Sequence, residues 1–146
     1  MKYQNTITVE VPISRFVELL DNPENMKHWQ KGLQSYELLG DHEPGSVGAQ
    51  MKLHFKMGKR DLTMIETVTI SDFPQRFAGT YETKGVWNLV DNHFKENEQG
   101  HTVWIADCEF KFSGLMKVMS WFMPKSMFKK QSCQYLEDFK KFAEAQ

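Results

Sequence analysis

Glu66 is the residue of this chain whose setting most invites chemistry. It falls in residues 61–70, where Leu62, Met64, Val68 and Ile70 recur at period two and define one apolar strand face. A carboxylate on such a face loses hydration, so its pKa rises towards the range of a general acid or base. The plainer reading is a carboxylate paired with a basic group such as Arg76, or one near a wetter sheet edge. Tyr81, Asn88 and Trp104 lie on neighbouring predicted strands and could supply the few polar groups that orient a ligand. Register decides their role, because a slip of one residue sends each of them to the outer face.

Other reactive residue types lack the spacing that chemistry requires. Five histidines (His28, His42, His54, His93 and His101) form no HExxH pattern, and no paired-cysteine motif accompanies them, so no metal is expected. His54 alternates onto a wet strand face, and His42 and His101 sit in or beside turns. No serine or cysteine occupies a GxSxG elbow, which leaves covalent catalysis without support. With no GxGxxG and no P-loop, no nucleotide cofactor is expected, nor any other cofactor. Cys108 alternates with Ala106 and Phe110 as core, and with Cys133 it reads as a buried reduced thiol of a cytoplasmic protein. Trp29, beside His28 on a helix edge, is either a packing anchor or a ligand contact.

These residues are positioned by an ordered series of elements. Residues 3–11 alternate through Ile7, Val9 and Val11 as a first strand, which Pro12 stops. Ile13, Phe16, Val17, Leu19 and Leu20 then recur at helical spacing, and Pro23 opens a second short helix over residues 24–30. Strands follow at 33–39, 50–57, 61–70, 76–83, 86–95 and 102–112. Met51, Leu53, Phe55 and Met57 alternate with polar residues, the pattern of an antiparallel sheet with one wet face. Short turns between successive strands predict a meander. Residues 116–145 read as a terminal helix, apolar along Phe128, Ser132, Tyr135, Leu136, Phe139, Phe142 and Ala143, with a kink or break at Pro124. Glu137 and Lys141 are placed to pair on its outer side.

Composition narrows the class. A chain of 146 residues with net charge −1 and 25% charged residues fits one domain, residues 1–146, with no field to gather nucleic acid. Forty per cent hydrophobic and 13% aromatic residues build a packed globule without disulfide or metal. No apolar run reaches membrane-spanning length, so no stable membrane insertion is expected. The expected partner is a hydrophobic small molecule, bound by a monomer or weak homodimer.

The order of elements resembles the START/Bet v 1-like (SRPBCC) superfamily over essentially the whole chain. The residues that carry the likeness are Val11-Pro12-Ile13 with Phe16-Val17, and Asn22-Pro23 with His28-Trp29. Glu66-Thr67-Val68 before Asp72-Phe73-Pro74-Gln75-Arg76, and Gly100-His101-Thr102-Val103-Trp104, look like the polyketide cyclase/dehydrase branch. The resemblance implies an α+β helix-grip fold. A curved antiparallel sheet of about seven strands would wrap the long terminal helix, with two short helices after the first strand. It also implies a cavity for lipids, sterols or polyketides between sheet and helix. The lining expected there is Trp29, Met51, Leu53, Phe55, Met64 and Glu66, joined by Tyr81, Asn88 and Trp104 from the later strands. Met119, Met123 and Met127 would complete it around Pro124.

Cavities cost free energy. An empty apolar void of about 300 Å³ costs on the order of 7 kcal/mol, comparable with a domain's whole stability. Ligand, water or large flexible side chains must therefore fill it, and nine methionines with eleven phenylalanines make closure from within a real alternative. Three readings follow: a carrier for an apolar or amphipathic molecule, a cyclase or dehydratase using Glu66, or a protein-interaction module with an exposed patch at Trp121-Phe122-Met123.

Overall fold

Alternating strands and proline punctuation give twelve elements in the computed structural model, which describes residues 1–146. Strand β1 (Lys2–Val9) leads into α1 (Ile13–Asp21), a 3₁₀ turn (Pro23–Asn25) and α2 (Met26–Trp29). Six strands follow: β2 (Leu33–Leu39), β3 (Gln50–Met57), β4 (Arg60–Asp72), β5 (Arg76–Thr83), β6 (Val86–Glu96) and β7 (Thr102–Phe112). Helices α3 (Leu115–Ser120) and α4 (Lys125–Glu144) end the chain. All neighbours pair antiparallel in the order β1-β7-β6-β5-β4-β3-β2, so the meander closes back on β1 at one edge. This is the α+β helix-grip architecture.

Local chemistry explains the boundaries. Pro12 caps α1, where its missing N–H costs nothing, and Phe16 donates to its carbonyl at 2.9 Å. The Asn22 side chain accepts from the Glu24 amide at 3.0 Å, opening the 3₁₀ turn. Gly58, at φ 67°, makes the tight reversal between β3 and β4 that a side chain would strain.

The register across the sheet places residues sharply. A shift between Val68 and Ile70 leaves Thr69 bulged, so Val68 opposes Gly79 while Ile70 opposes Ala78. Ile70 therefore leaves the face it was expected to share with Glu66 and turns to the outer side. The bulge, with side-chain-free Gly79 beside it, gives the sheet its bend at mid-width. A Cβ on Gly79 would lie 3.1 Å from the Thr67 carbonyl oxygen, a tight contact that a side chain could make only if the neighbouring strand gave way by a few tenths of an ångström.

The terminal helix is not continuous. Pro124 caps α4 in extended geometry (φ −69°, ψ 146°), and α3 stops at Ser120, so residues 116–145 are two helices. Proline excludes the preceding residue from helical geometry and removes a donor, which breaks the rod rather than bending it. The pair expected between Glu137 and Lys141 does not form. Lys140 instead meets Glu144 at 2.6 Å and donates to the Thr8 carbonyl at 2.7 Å, tying the helix to β1.

The core is unevenly distributed. Its main body gathers Phe16 and Leu19 of α1, Phe94 and Trp104 of the sheet, and Leu136, Phe139 and Ala143 of α4. Phe139 is fully buried and meets Phe16, Trp29 and Trp104 edge to face at 5.0–5.5 Å. A second, small cluster of Met26, Leu53 and Phe55 sits under α2. Helix α4 runs close to β1 and α2 and stands off from β3, β4 and β5.

Candidate functional site

The zone between the two clusters is built by one row of inward-facing residues. Leu38 opposes Met51, Met51 opposes Glu66, Glu66 opposes Tyr81, Tyr81 opposes Asn88, and Asn88 opposes Phe110. Cross-strand partners share a face, so these six side chains cross the concave side from β2 to β7. The adjoining row runs Val68, Gly79, Val90, Cys108 and Tyr3, with glycine lowering its middle.

Met51, Met64, Glu66, Tyr81 and Val90 point inward on central strands yet keep accessible surface. Protein nevertheless surrounds the Glu66 carboxyl and the Tyr81 hydroxyl. Surface retained inside the protein envelope belongs to an internal cleft. The molecule exposes 8865 Å², whereas a compact monomer of 17.1 kDa exposes about 7,750 Å². Beside Glu66, a gap between Met51, Val68, Leu38 and the 40–49 loop has a free volume of about 10 Å³, room for one water. A wider, open recess of about 330 Å³ lies between Leu39, Asp41, His42 and Gln50, on the sheet face opposite Leu38 and Met51. Met51 is the one methionine that lines the gap beside Glu66.

Electrostatics single out the middle of the row. Burial pushes the Glu66 carboxyl above the ordinary carboxylate range, and the nearby Tyr81 hydroxyl pulls it partly back. Tyr81 opposes Glu66 across β4 and β5, which brings the hydroxyl to the carboxyl's side of the sheet. Burial and then the Glu66 charge hold Tyr81 well above the usual phenol range. Arg76, the expected partner for Glu66, forks onto Asp91 at 2.9 and 2.7 Å instead. Asn88 spends its amide N–H on the Glu109 carbonyl at 3.1 Å. At the helix side, Tyr3 bonds Ser132 and Asn5 donates to the Lys129 carbonyl at 3.3 Å, pinning the first half of α4. Burial pushes the Cys108 thiol up to about 11.

The sequence-predicted residues divide into three groups. Met51, Met64, Glu66, Tyr81 and Asn88 lie together along the cleft, with Leu53 and Phe55 packed beneath them beside Met26. Trp29 and Trp104 are structural neighbours of Phe139. The Trp104 indole donates to Asn92 at 2.8 Å, whereas the Trp29 indole N–H is buried without an acceptor. Met119 and Met127 stand on the outside at 48% and 42% exposure, and Met123 sits in the turn before Pro124. Trp121 and Phe122 are also exposed. Tyr3, Val90 and Phe110 were not anticipated in the lining; the period-two alternation of β1 and β7 was the signal for Tyr3 and Phe110. No group of three or more His, Cys, Asp or Glu side chains converges as metal ligands would.

Residues 1–144 match the family described as polyketide cyclase/dehydrase and lipid transport. The chain belongs to this family. Solved structures share the fold at low identity. An aromatase/cyclase from Streptomyces sp. R1128 superposes with a TM-score of 0.79 at 14% identity, covering 99% of this chain and 93% of that one. Ara h 8.0201 gives 0.79 at 12% identity, with coverage of 100% and 99%. Major latex-like protein 151 from Panax ginseng gives 0.73 at 9%, with coverage of 98% and 97%. No curated protein matches the chain. Family and fold together establish a scaffold for hydrophobic ligands, and no helix is long and apolar enough to cross a membrane.

Proposed function

We propose that this protein, as a monomer or weak homodimer, binds an apolar or amphipathic small molecule of lipid, sterol or polyketide type in the cleft between β3–β6 and α4. The carrying observation is the row Met51, Glu66, Tyr81, Asn88. Flexible apolar walls there flank a few polar tips and keep accessible surface inside the protein. Met51 and Met64 swing aside as the ligand enters, which avoids the cost of holding an empty chamber in the free protein. Displacement of N-phenylnaphthylamine by a panel of fatty acids, sterols and aromatic polyketides tests the reading. Val90→Trp, which fills the middle of the cleft, should abolish both probe uptake and displacement. Equal uptake by Val90→Trp would place the probe elsewhere and overturn the assignment.

A second reading has its own support. Glu66 is a buried carboxyl with a raised pKa and no cation opposite it, as a general acid or base acting on a hydrophobic carbonyl compound requires. Cyclisation or dehydration then proceeds with Tyr81 and Asn88 as orienting groups, without metal or covalent nucleophile. Glu66→Gln should lower turnover of an identified substrate by at least roughly a hundredfold, the usual contribution of a positioned acid or base. A change of only a fewfold would leave the carrier reading alone.

A further inference from the structure

The elbow between α3 and α4 concentrates what the rest of the surface avoids. Ten large hydrophobic residues are exposed on the molecule, and six of them fall between Leu115 and Met127. Trp121 at 71%, Phe122 at 83% and Leu115 at 75% are among the most exposed. Isolated exposed apolar residues are ordinary, but six within one short stretch of chain mark a contact surface. The cleft does not use these side chains. Met116 packs against Gly85 and Phe128 against Phe110 and Phe112, which anchors the elbow to the sheet and leaves its outer side bare.

Charge selects the occupant. Residues 115–136 contain Lys117, Lys125, Lys129 and Lys130 and no aspartate or glutamate, although the whole chain carries −1. All four lysines are exposed, and none has an ion-pair partner. A second copy docking through the same patch would bring like charges together, which disfavours a symmetric dimer. Exposed tryptophan, phenylalanine, leucine and methionine flanked along the chain by exposed lysines instead match the chemistry of a lipid interface. There the aromatic rings enter the headgroup boundary and the ammonium groups meet anionic lipids.

We propose that the α3–α4 elbow is a docking surface for an anionic lipid bilayer, on which the protein lies without crossing it. Trp121, Phe122 and Leu115 make the apolar contact, and Lys117, Lys125, Lys129 and Lys130 supply the electrostatic attraction.

Co-sedimentation with vesicles of phosphatidylcholine alone, and of phosphatidylcholine with phosphatidylglycerol, tests this. Binding is expected on the anionic vesicles, weakening as salt is raised, and at least tenfold weaker on neutral ones. Replacing Lys125 and Lys129 by glutamine should weaken anionic binding roughly fivefold per lysine. Trp121→Ser with Phe122→Ser should abolish it while thermal unfolding stays unchanged. Trp121→Phe keeps the binding and removes a blue shift in tryptophan emission on vesicle addition. Equal binding to both vesicle types, no binding to either, or a Trp121-dependent dimer by light scattering would each overturn the proposal. Each of these readouts is independent of whether the cleft holds a ligand.

Discussion

The Glu66 carboxyl and the Tyr81 hydroxyl face each other from paired positions on β4 and β5, near the centre of the concave face and with no cation opposite. Folding therefore raises the acid's pKa above its unfolded value. A raised carboxyl contributes stability that is complete below the unfolded pKa and is lost as the pH rises through the folded one. Glu66→Gln cannot ionise, so it should melt a few degrees higher than the parent at alkaline pH, about 1 kcal/mol in a domain of this size. In acid the two should melt together. Thermal unfolding across the pH range checks this, and a constant offset at every pH would contradict it.

Tyr81→Phe deletes the one group that draws the Glu66 pKa downward. The Glu66 titration midpoint, followed by carboxyl-carbon NMR, should move further up in this variant, and the alkaline loss of stability should begin at the same pH but extend to higher pH and become larger. A downward movement would mean that the hydroxyl chiefly stabilises the protonated acid.

Asp91 behaves in the opposite sense. The Arg76 fork holds its carboxyl below the usual range despite partial burial, so its stabilisation is present above the unfolded pKa and fades as the pH falls through the folded one. Arg76 is 41% exposed and solvent screens the pair, so Asp91→Asn should destabilise the protein only slightly at neutral pH. The cost should vanish in strong acid. Chemical denaturation at two pH values measures both.

The same residues show how much of the fold and site the sequence made readable. Period-two alternation located β3, and the inward set Met51, Leu53, Phe55, Met64 and Glu66 follows from it, because a strand offers only two faces. It did not reveal the bulge at Thr69 that turns Ile70 outward, since Thr67-Val68-Thr69-Ile70 keeps an unbroken polar–apolar alternation across it. Pro124 announced an interruption, but the choice between kink and break depends on where the downstream helix finds a partner. Here Tyr3 and Asn5 hold α4 to β1. Met119 and Met127 were read inward for their chemistry alone; they lie on the outer side of an elbow whose inner side holds the sheet through Met116 and Phe128. Trp104 could orient a ligand on sequence grounds. The packing of Phe16, Phe94 and Phe139 around it is a tertiary fact that no local pattern carries.

Cysteine reactivity separates the two thiols. Burial holds the Cys108 thiol up to about 11 and shields it, whereas Cys133 on α4 is partly accessible. The thiolate is the reacting species, so in the native protein at neutral pH iodoacetamide should label Cys133 and leave Cys108 unmodified until unfolding exposes it. Mass spectrometry of a labelling time course reads the order. Early modification of Cys108 would show that the cleft beside Val90 opens far enough to admit the reagent.

Phe139 joins the helix to everything else, and its removal tests that joint directly. It is fully buried against Phe16, Trp29 and Trp104, so Phe139→Ala should cost roughly 3–5 kcal/mol, as large cavities in cores do. Phe139→Leu retains most of the volume and should cost less, about 1.5 kcal/mol or below if the neighbouring rings repack. The contrast bears on the cleft as well. Helix α4 is fastened to the sheet chiefly through this residue and the β1 contacts, so loosening it widens the gap over β3–β5. Phe139→Leu should therefore take up N-phenylnaphthylamine more readily than the parent while remaining folded by circular dichroism. Unchanged probe uptake in that variant would show that the helix position does not control access to the cleft.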